Sequence, residues 1–149
     1  MTSNERSTVA DALSRVLADS YSLYIKTHGY HWNVTGPNFP ALHTMFEQQY
    51  TELALAVDQI AERIRAVGAK APAGYKAFAD LSSIPDGAAE KDTDMIADLL
   101  AGHEMVAKTA KEALEAAVSV GDDVSEGLMV DRITVHDKAA WMLRSMTEQ

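Results

Sequence analysis

The sequence turns on residues 26–50, KTHGYHWNVTGPNFPALHTMFEQQY, which carry three of the five histidines in the chain, His28, His31 and His43. Upstream, Val9, Leu13, Val16, Leu17, Tyr21 and Tyr24 recur at three- and four-residue spacing and paint one apolar stripe along a helix. The stripe runs into His28 and His31 and ends at NVTGPN, where Asn33 and Gly36 suit a helix terminus. Pro37 cannot continue a helix but can open the next one. Downstream, Leu42, Phe46, Tyr50, Leu53, Val57, Ile60 and Ile64 form the stripe of a second helix, which Gly68 stops. The histidines therefore gather at one end of a helical hairpin.

The rest of the chain is helical too. AKAPAGYKAFADLSSIPDGAAEKD, about two dozen residues from Ala69, is too long for a tight turn between antiparallel helices. A short helix at Tyr75 to Leu81 is expected inside it. A third long helix starts near Asp92 or Thr93 and carries Met95, Leu99, Val106, Leu114 and Val118, with VGDD breaking it at Gly121. A fourth runs from about Ser125 to Met146 with Leu128, Ile133, Val135, Ala139, Met142 and Leu143 inward. Four long helices with one long central connection predict an all-α, ferritin-like four-helix bundle with a crossover. Residues 1–149 make one such domain, residues 1–7 are a short flexible N-terminal tail, and Ser7 or Thr8 caps the first helix.

Composition narrows the chemistry. With 149 residues and 47% hydrophobic content, the chain suits one domain with a real core. It has no cysteine, which removes disulfides, zinc–thiolate sites, iron–sulfur clusters and thiol nucleophiles. No stretch is apolar for the roughly 18 residues of a membrane span, and the polar start MTSNERSTVADAL lacks a signal-peptide core. The cytoplasm is the expected location. Thirteen Lys and Arg face 22 Asp and Glu, a formal net charge of -9, so the surface attracts cations and repels phosphate backbones. Glu5 and Arg6 in the first eight residues, and Glu148 alone in the last five, do not make a polybasic arm.

Imidazole and carboxylate are the ligands that first-row divalent metals accept when thiolate is absent. On the second helix Asp58 and Glu62 are four apart on one face, and Glu47 follows His43 by four. Singly, a helical histidine is more often a packing residue and an acidic pair more often a solvated face. The di-iron site of the standard bundle needs a Glu-x-x-His motif on each of two helices, and no histidine here has a glutamate three residues before it. At ~1.5 Å per residue, His43 and Asp58 lie roughly 22 Å apart along one helix and cannot share an ion. The chain carries imidazoles near the turn and carboxylates further along. An antiparallel pairing of two second helices, about a two-fold axis near Tyr50 to Glu52, would join them, each half completing the other.

HWNVTGPNFPALHTMFEQQYTELALAVDQIAERI resembles the core signature of the Dps proteins, DNA-binding proteins from starved cells or mini-ferritins. The pattern is His-Trp-Asn near a helix end, Leu-His with an acidic residue four on, then Asp-x-x-Ala-Glu-Arg. The likeness extends through the central connection to VHDKAAWMLRS. It implies a hollow homododecamer built from two-fold dimers, with ferroxidase sites across the interfaces. His31 and His43 would come from one subunit and Asp58 and Glu62 from the other. It further implies that Fe²⁺ is oxidised, preferably with hydrogen peroxide rather than dioxygen, and stored as ferric mineral, with protection against oxidative damage.

The resemblance also places Trp32 beside the site, to intercept stray oxidising equivalents or simply to pack at the interface. His28 stands where part of the family has lysine, either as an extra ligand or as a hydrogen-bonding residue. Glu47 stands where many relatives have aspartate and is a further candidate metal ligand. The turn VGDDVSE with Asp131 resembles the region lining the family's three-fold pores, which makes Asp122, Asp123, Glu126 and Asp131 pore candidates; solvated helix-start carboxylates are the competing reading. His103 and His136 have no acidic partner at ligand spacing and read as structural or surface residues. Two other functions stand beside the ferroxidase. One is nucleoid DNA binding, which the charge and tails oppose. The other is a passive shell occupied by zinc, which imidazole-rich sites favour and which is also a competitor for iron.

Overall fold

The computed structural model describes residues 1–148. Five helices follow one another: α1 (Ser3–Asn33), α2 (Phe39–Val67), α3 (Tyr75–Leu81), α4 (Asp92–Val120) and α5 (Asp123–Ser145). There is no strand among the described residues. The long helices pack α1 on α2, α1 on α4 and α4 on α5, while α2 and α5 touch only thinly. This is the expected bundle with its crossover and its short extra helix.

The start of α1 departs from the expectation. Residues 3–7 are helix, and the cap is Thr2 rather than Ser7 or Thr8. Thr2 Oγ1 accepts from Glu5 N at 3.1 Å and Glu5 Oε2 accepts from Thr2 N at 2.8 Å, a reciprocal capping box. Arg6 Nη1 then donates to the Val67 carbonyl at 2.8 Å, tying the first turn of α1 to the end of α2. Thr8 lies inside the helix and bonds back to the Asn4 carbonyl. At the other end Gly36, at φ 112°, turns the chain through 34–38. Pro40, not Pro37, fills the first turn of α2.

The core has two apolar clusters. Val9, Leu13, Val16, Ile60, Ile64 and Met129 are among those filling one end; Leu23, Leu42, Phe46, Leu53, Leu99 and Leu143 are among those filling the other. Fully burying one such side chain stabilises by about 1.5–3 kcal/mol. The stripes of α1 and α2 face inward as read from sequence. In α4 the C-terminal half differs: Val118 is exposed, and Ala110, Ala113 and Ala117 make the contact, because that part of α4 packs closely through small residues. In α5, Ala139 and Leu143 are buried as expected, Leu128, Ile133, Val135 and Met142 are only half-buried, and Ser125, Met129, Arg132, His136 and Ala140 complete the buried set.

The crossover, 68–91, is anchored to α1 by polar contacts. Asp19 is fully buried and accepts from Ser83 N at 2.6 Å, Ser82 Oγ at 3.1 Å and Thr109 Oγ1 at 2.7 Å. Tyr30 takes a hydrogen bond from Ala89 N and donates to Asp98, which also pairs with buried Lys26 at 3.1 Å. Tyr21 stacks on Phe78 of α3, ring centroids 4.8 Å apart.

Candidate metal centre

His31 lies in the last turn of α1 and His43 in the second turn of α2, facing each other across the hairpin. Their rings stack 3.8 Å apart at 12°. His31 donates from Nδ1 to the His43 carbonyl at 2.7 Å, and His43 donates from Nδ1 to the His31 carbonyl at 2.7 Å. A carbonyl only accepts, so in each ring the proton is on Nδ1. In its neutral form each imidazole then has its lone pair on Nε2, the tautomer a metal ligand needs, fixed by the same outer bond that orients it. His31 Nε2 is 3.9 Å from Glu47 Oε1.

Around this pair is an aromatic cluster. His28 lies on the same face of α1, its ring 6.4 Å from His31, 4.0 Å from Trp32 and 4.4 Å from Tyr50. Trp32 is 63% exposed, beside the imidazoles rather than beneath them. Tyr50, expected as a core position and near the two-fold axis but not at the site, has its ring 5.1 Å from that of His31. Its spacing of seven from His43 puts both on one helix face and is the signal that was available. Desolvation and then the nearby Glu47 charge push its hydroxyl above the usual tyrosine range.

The carboxylates lie elsewhere on α2. Asp58 and Glu62 are exposed one turn apart, and a hydrogen bond with Asp58, then its charge, raises the Glu62 carboxyl above its ordinary value. Two neighbouring carboxylates repel each other, and a cation between them relieves that repulsion. Among the described residues no three His, Asp or Glu side chains come together to hold a metal ion. The structure thus brings His31 and His43 together, sets Glu47 near His31 alone, places His28 and Trp32 beside them, and leaves Asp58 and Glu62 elsewhere on α2.

At the α4–α5 turn, Asp122 is buried and already engaged. It caps α5 by accepting from Ser125 N at 3.1 Å and pairs with Arg63 at 2.9 Å. Burial acts to raise this carboxyl, but the Ser125 hydrogen bonds and Arg63 outweigh it and hold it below the usual range. Both contacts use Oδ1, and Oδ2 has no protein partner among the described residues. Asp123 and Asp131 are exposed and Glu126 is half-buried. His103 and His136 are both buried and bonded to each other, so the structural reading applies and the surface reading does not.

The ferritin-like domain model matches residues 10–149. The chain is 37% identical over 142 residues to DNA protection during starvation protein 2 of Bacillus anthracis, covering 95% of this chain and 97% of that one. The chain belongs to the ferritin-like Dps family. Its backbone superposes on the Dps protein of Vibrio cholerae O1, described as a ferritin-like diiron-carboxylate protein, with a TM-score of 0.95 at 30% identity over 99% of this chain and 94% of that one. Dps from Staphylococcus aureus gives 0.91 at 34% identity over 95% of both chains. Membership of Dps accounts for the bundle and its crossover. Among the described residues no helix is long and apolar enough to cross a membrane.

Proposed function

We propose that the protein is a ferroxidase and iron-storage mini-ferritin, working as a cytoplasmic homododecamer whose sites form across two-fold interfaces. The observation that carries this reading is the split of a donor set along α2. Two imidazoles with free Nε2 lone pairs lie at the hairpin end, and an exposed carboxylate pair lies well down the same helix. An antiparallel partner would bring Asp58 and Glu62 of one subunit to His31 and His43 of the other, which is the reciprocity of an isologous dimer.

Iron is the substrate here. Neutral imidazole and ionised carboxylate hold Fe²⁺, and the oxygen donors favour the more highly charged Fe³⁺ product. Two Fe²⁺ each give up one electron, hydrogen peroxide takes both, and its O–O bond breaks. With two waters the products are two ferric oxyhydroxide units and four protons. Pairing the electrons at one peroxide releases no hydroxyl radical. Glu47 and His28 are placed to add ligands, and Trp32 to intercept an escaped oxidising equivalent. Asp123, Glu126 and Asp131, with the -9 net charge, would concentrate Fe²⁺ at the shell surface. The same charge weighs against direct DNA binding. Zinc is expected to compete through the imidazoles.

The test is anaerobic stopped-flow. Metal-free protein is loaded with two Fe²⁺ per subunit, mixed with hydrogen peroxide, and ferric absorbance followed. A fast phase saturating near that load and lost after zinc is expected. His43→Ala or Asp58→Ala should slow it by more than the roughly 10–100-fold that loss of an outer-shell partner costs, with assembly unchanged by size exclusion. Wild-type rates in both variants would end the assignment.

A further inference from the structure

Three of the five tyrosines in the chain stand in a row that starts at the imidazoles. The Tyr50 ring of α2 lies 5.1 Å from that of His31. Tyr24 of α1 lies 5.9 Å from Tyr50 at 84°, and Tyr21, one turn back along α1, lies 5.8 Å from Tyr24 at 71°. Apolar spacing assigns Tyr21 and Tyr24 to the stripe of α1, yet both are only half-buried, whereas Val9, Leu13, Val16 and Leu17 of that stripe are at most 2% exposed. The other two tyrosines set the contrast. Tyr30 is buried with its hydroxyl bound between Asp98 and Ala89, a structural role, and Tyr75 is 89% exposed and stands outside the row.

Chemistry gives the row a direction. In a chain without cysteine, tyrosine and tryptophan are the side chains that most readily give up one electron. Electron exchange falls off steeply with distance, and between like rings at contact it is fast and nearly isoenergetic. His28 separates Trp32 from Tyr50, at 4.0 Å and 4.4 Å, and an imidazole is a poor one-electron donor, so the row leads away from Trp32 and down α1. It ends where Tyr21 stacks on Phe78, a ring that a phenoxyl does not oxidise. There Tyr21 lines a cavity of about 580 Å³ with Ser22, Ile25, Phe78 and Ile84, where a small solute can meet it.

Hydrogen peroxide needs two electrons, and a centre holding one Fe²⁺ has one to give. We propose that Tyr50, Tyr24 and Tyr21 form a relay that supplies the second electron to a half-filled centre, and that a diffusible one-electron reductant such as ascorbate restores Tyr21 from the cavity. In the first step Fe²⁺ gives one electron, and Tyr50 gives one electron with its hydroxyl proton. The O–O bond breaks, and the products are Fe³⁺, hydroxide, water and a neutral Tyr50 phenoxyl. Tyr24 then reduces Tyr50, and Tyr21 reduces Tyr24. Each ring that loses an electron releases its phenolic proton to solvent, and each ring that regains one takes a proton back. The reductant gives the last electron and proton and leaves as its own radical. This inference rests on the ferroxidase reading and extends it to incomplete iron loading.

The test gives the assembled, metal-free shell half an Fe²⁺ per subunit without oxygen, then hydrogen peroxide with a nitroso spin trap, and maps labelled residues by peptide mass spectrometry. In wild type the label is expected on Tyr21, and ascorbate added with the peroxide should clear it. In Tyr24→Phe, which keeps the ring and its packing, the label should be lost from Tyr21 and appear on Tyr50, where ascorbate no longer clears it. Undiminished label on Tyr21 in Tyr24→Phe overturns the relay. So does label on Tyr75 equal to that on Tyr21, which means a radical free in solution. Label on Tyr50 that ascorbate clears equally well overturns the role of Tyr21 as the point of entry. The wild-type fast phase at two Fe²⁺ per subunit reports separately on the ferroxidase. Its presence with no labelled tyrosine at the lower load removes the relay alone, and its absence removes the ferroxidase and the relay with it.

Discussion

His103 and His136 set how the bundle responds to acid. Burial first, and the Arg132 charge after it, bring the His103 imidazole down to about 4, and burial, then His103 and Arg132, hold His136 well below its ordinary value. In the unfolded chain both protonate near pH ~6.5. Between that pH and about 4 the unfolded state binds more protons than the folded one, so stability falls as pH falls. Each histidine contributes a slope of about 1.4 kcal/mol per pH unit, reaching on the order of 3 kcal/mol for His103 by the lower limit. Above the upper limit there is no such slope. Denaturation midpoints measured across this window should fall less steeply in His103→Gln than in wild type. Equal slopes would contradict the argument. The sequence left His103 and His136 as structural or surface residues, and spacing alone could not choose between the two. Only the tertiary contact with Glu52 and His103 turns that face of α5 inward.

Helix by helix, apolar spacing gave the elements and missed what polar groups do at their ends and centres. The α1 start was misplaced because Thr2 and Glu5 cap reciprocally, a pattern visible in TSNE but outweighed by its polarity. The α5 face was read only in part: Ala139 and Leu143 are inward as expected, but the buried line also contains Arg132, His136 and Ser125. Asp19 is the sharpest case. It lies among the apolar residues of α1 as a polar exception, and its three bonds hold the crossover and α4. Asp19→Ala strands buried donors, each worth about 1–3 kcal/mol, and should cost on the order of 3 kcal/mol in all. The Asn replacement keeps the Oδ1 acceptor, and Thr109 can still donate to the Met105 carbonyl, so its cost should be well below that. Limited proteolysis should cut 69–91 faster in the Ala variant alone. A crossover as protease-resistant in Asp19→Ala as in wild type would refute its role as anchor.

At the scale of the whole molecule, the candidate imidazole and carboxylate ligands lie in two places that do not meet within the chain. Spacing along α2 exposed that split in the sequence, but not the reciprocal locking of His31 and His43, which depends on how closely the two helix ends approach. If each site draws imidazoles from one subunit and carboxylates from its neighbour, two inactive variants should complement. In a dimer of His43→Ala with Asp58→Ala, one site carries both substitutions and the other carries neither. Random co-assembly of equal amounts makes about half the dimers mixed, so about one quarter of all sites are intact. Co-refolded shells should therefore recover about one quarter of the wild-type fast phase, while either variant alone, or the two mixed after assembly, recovers none. A site contained within one subunit would give no recovery under any mixing, because every subunit would carry one lesion. Recovery without co-refolding would mean that dimers exchange subunits, and titrating the ratio of the variants would still give a maximum at equal amounts.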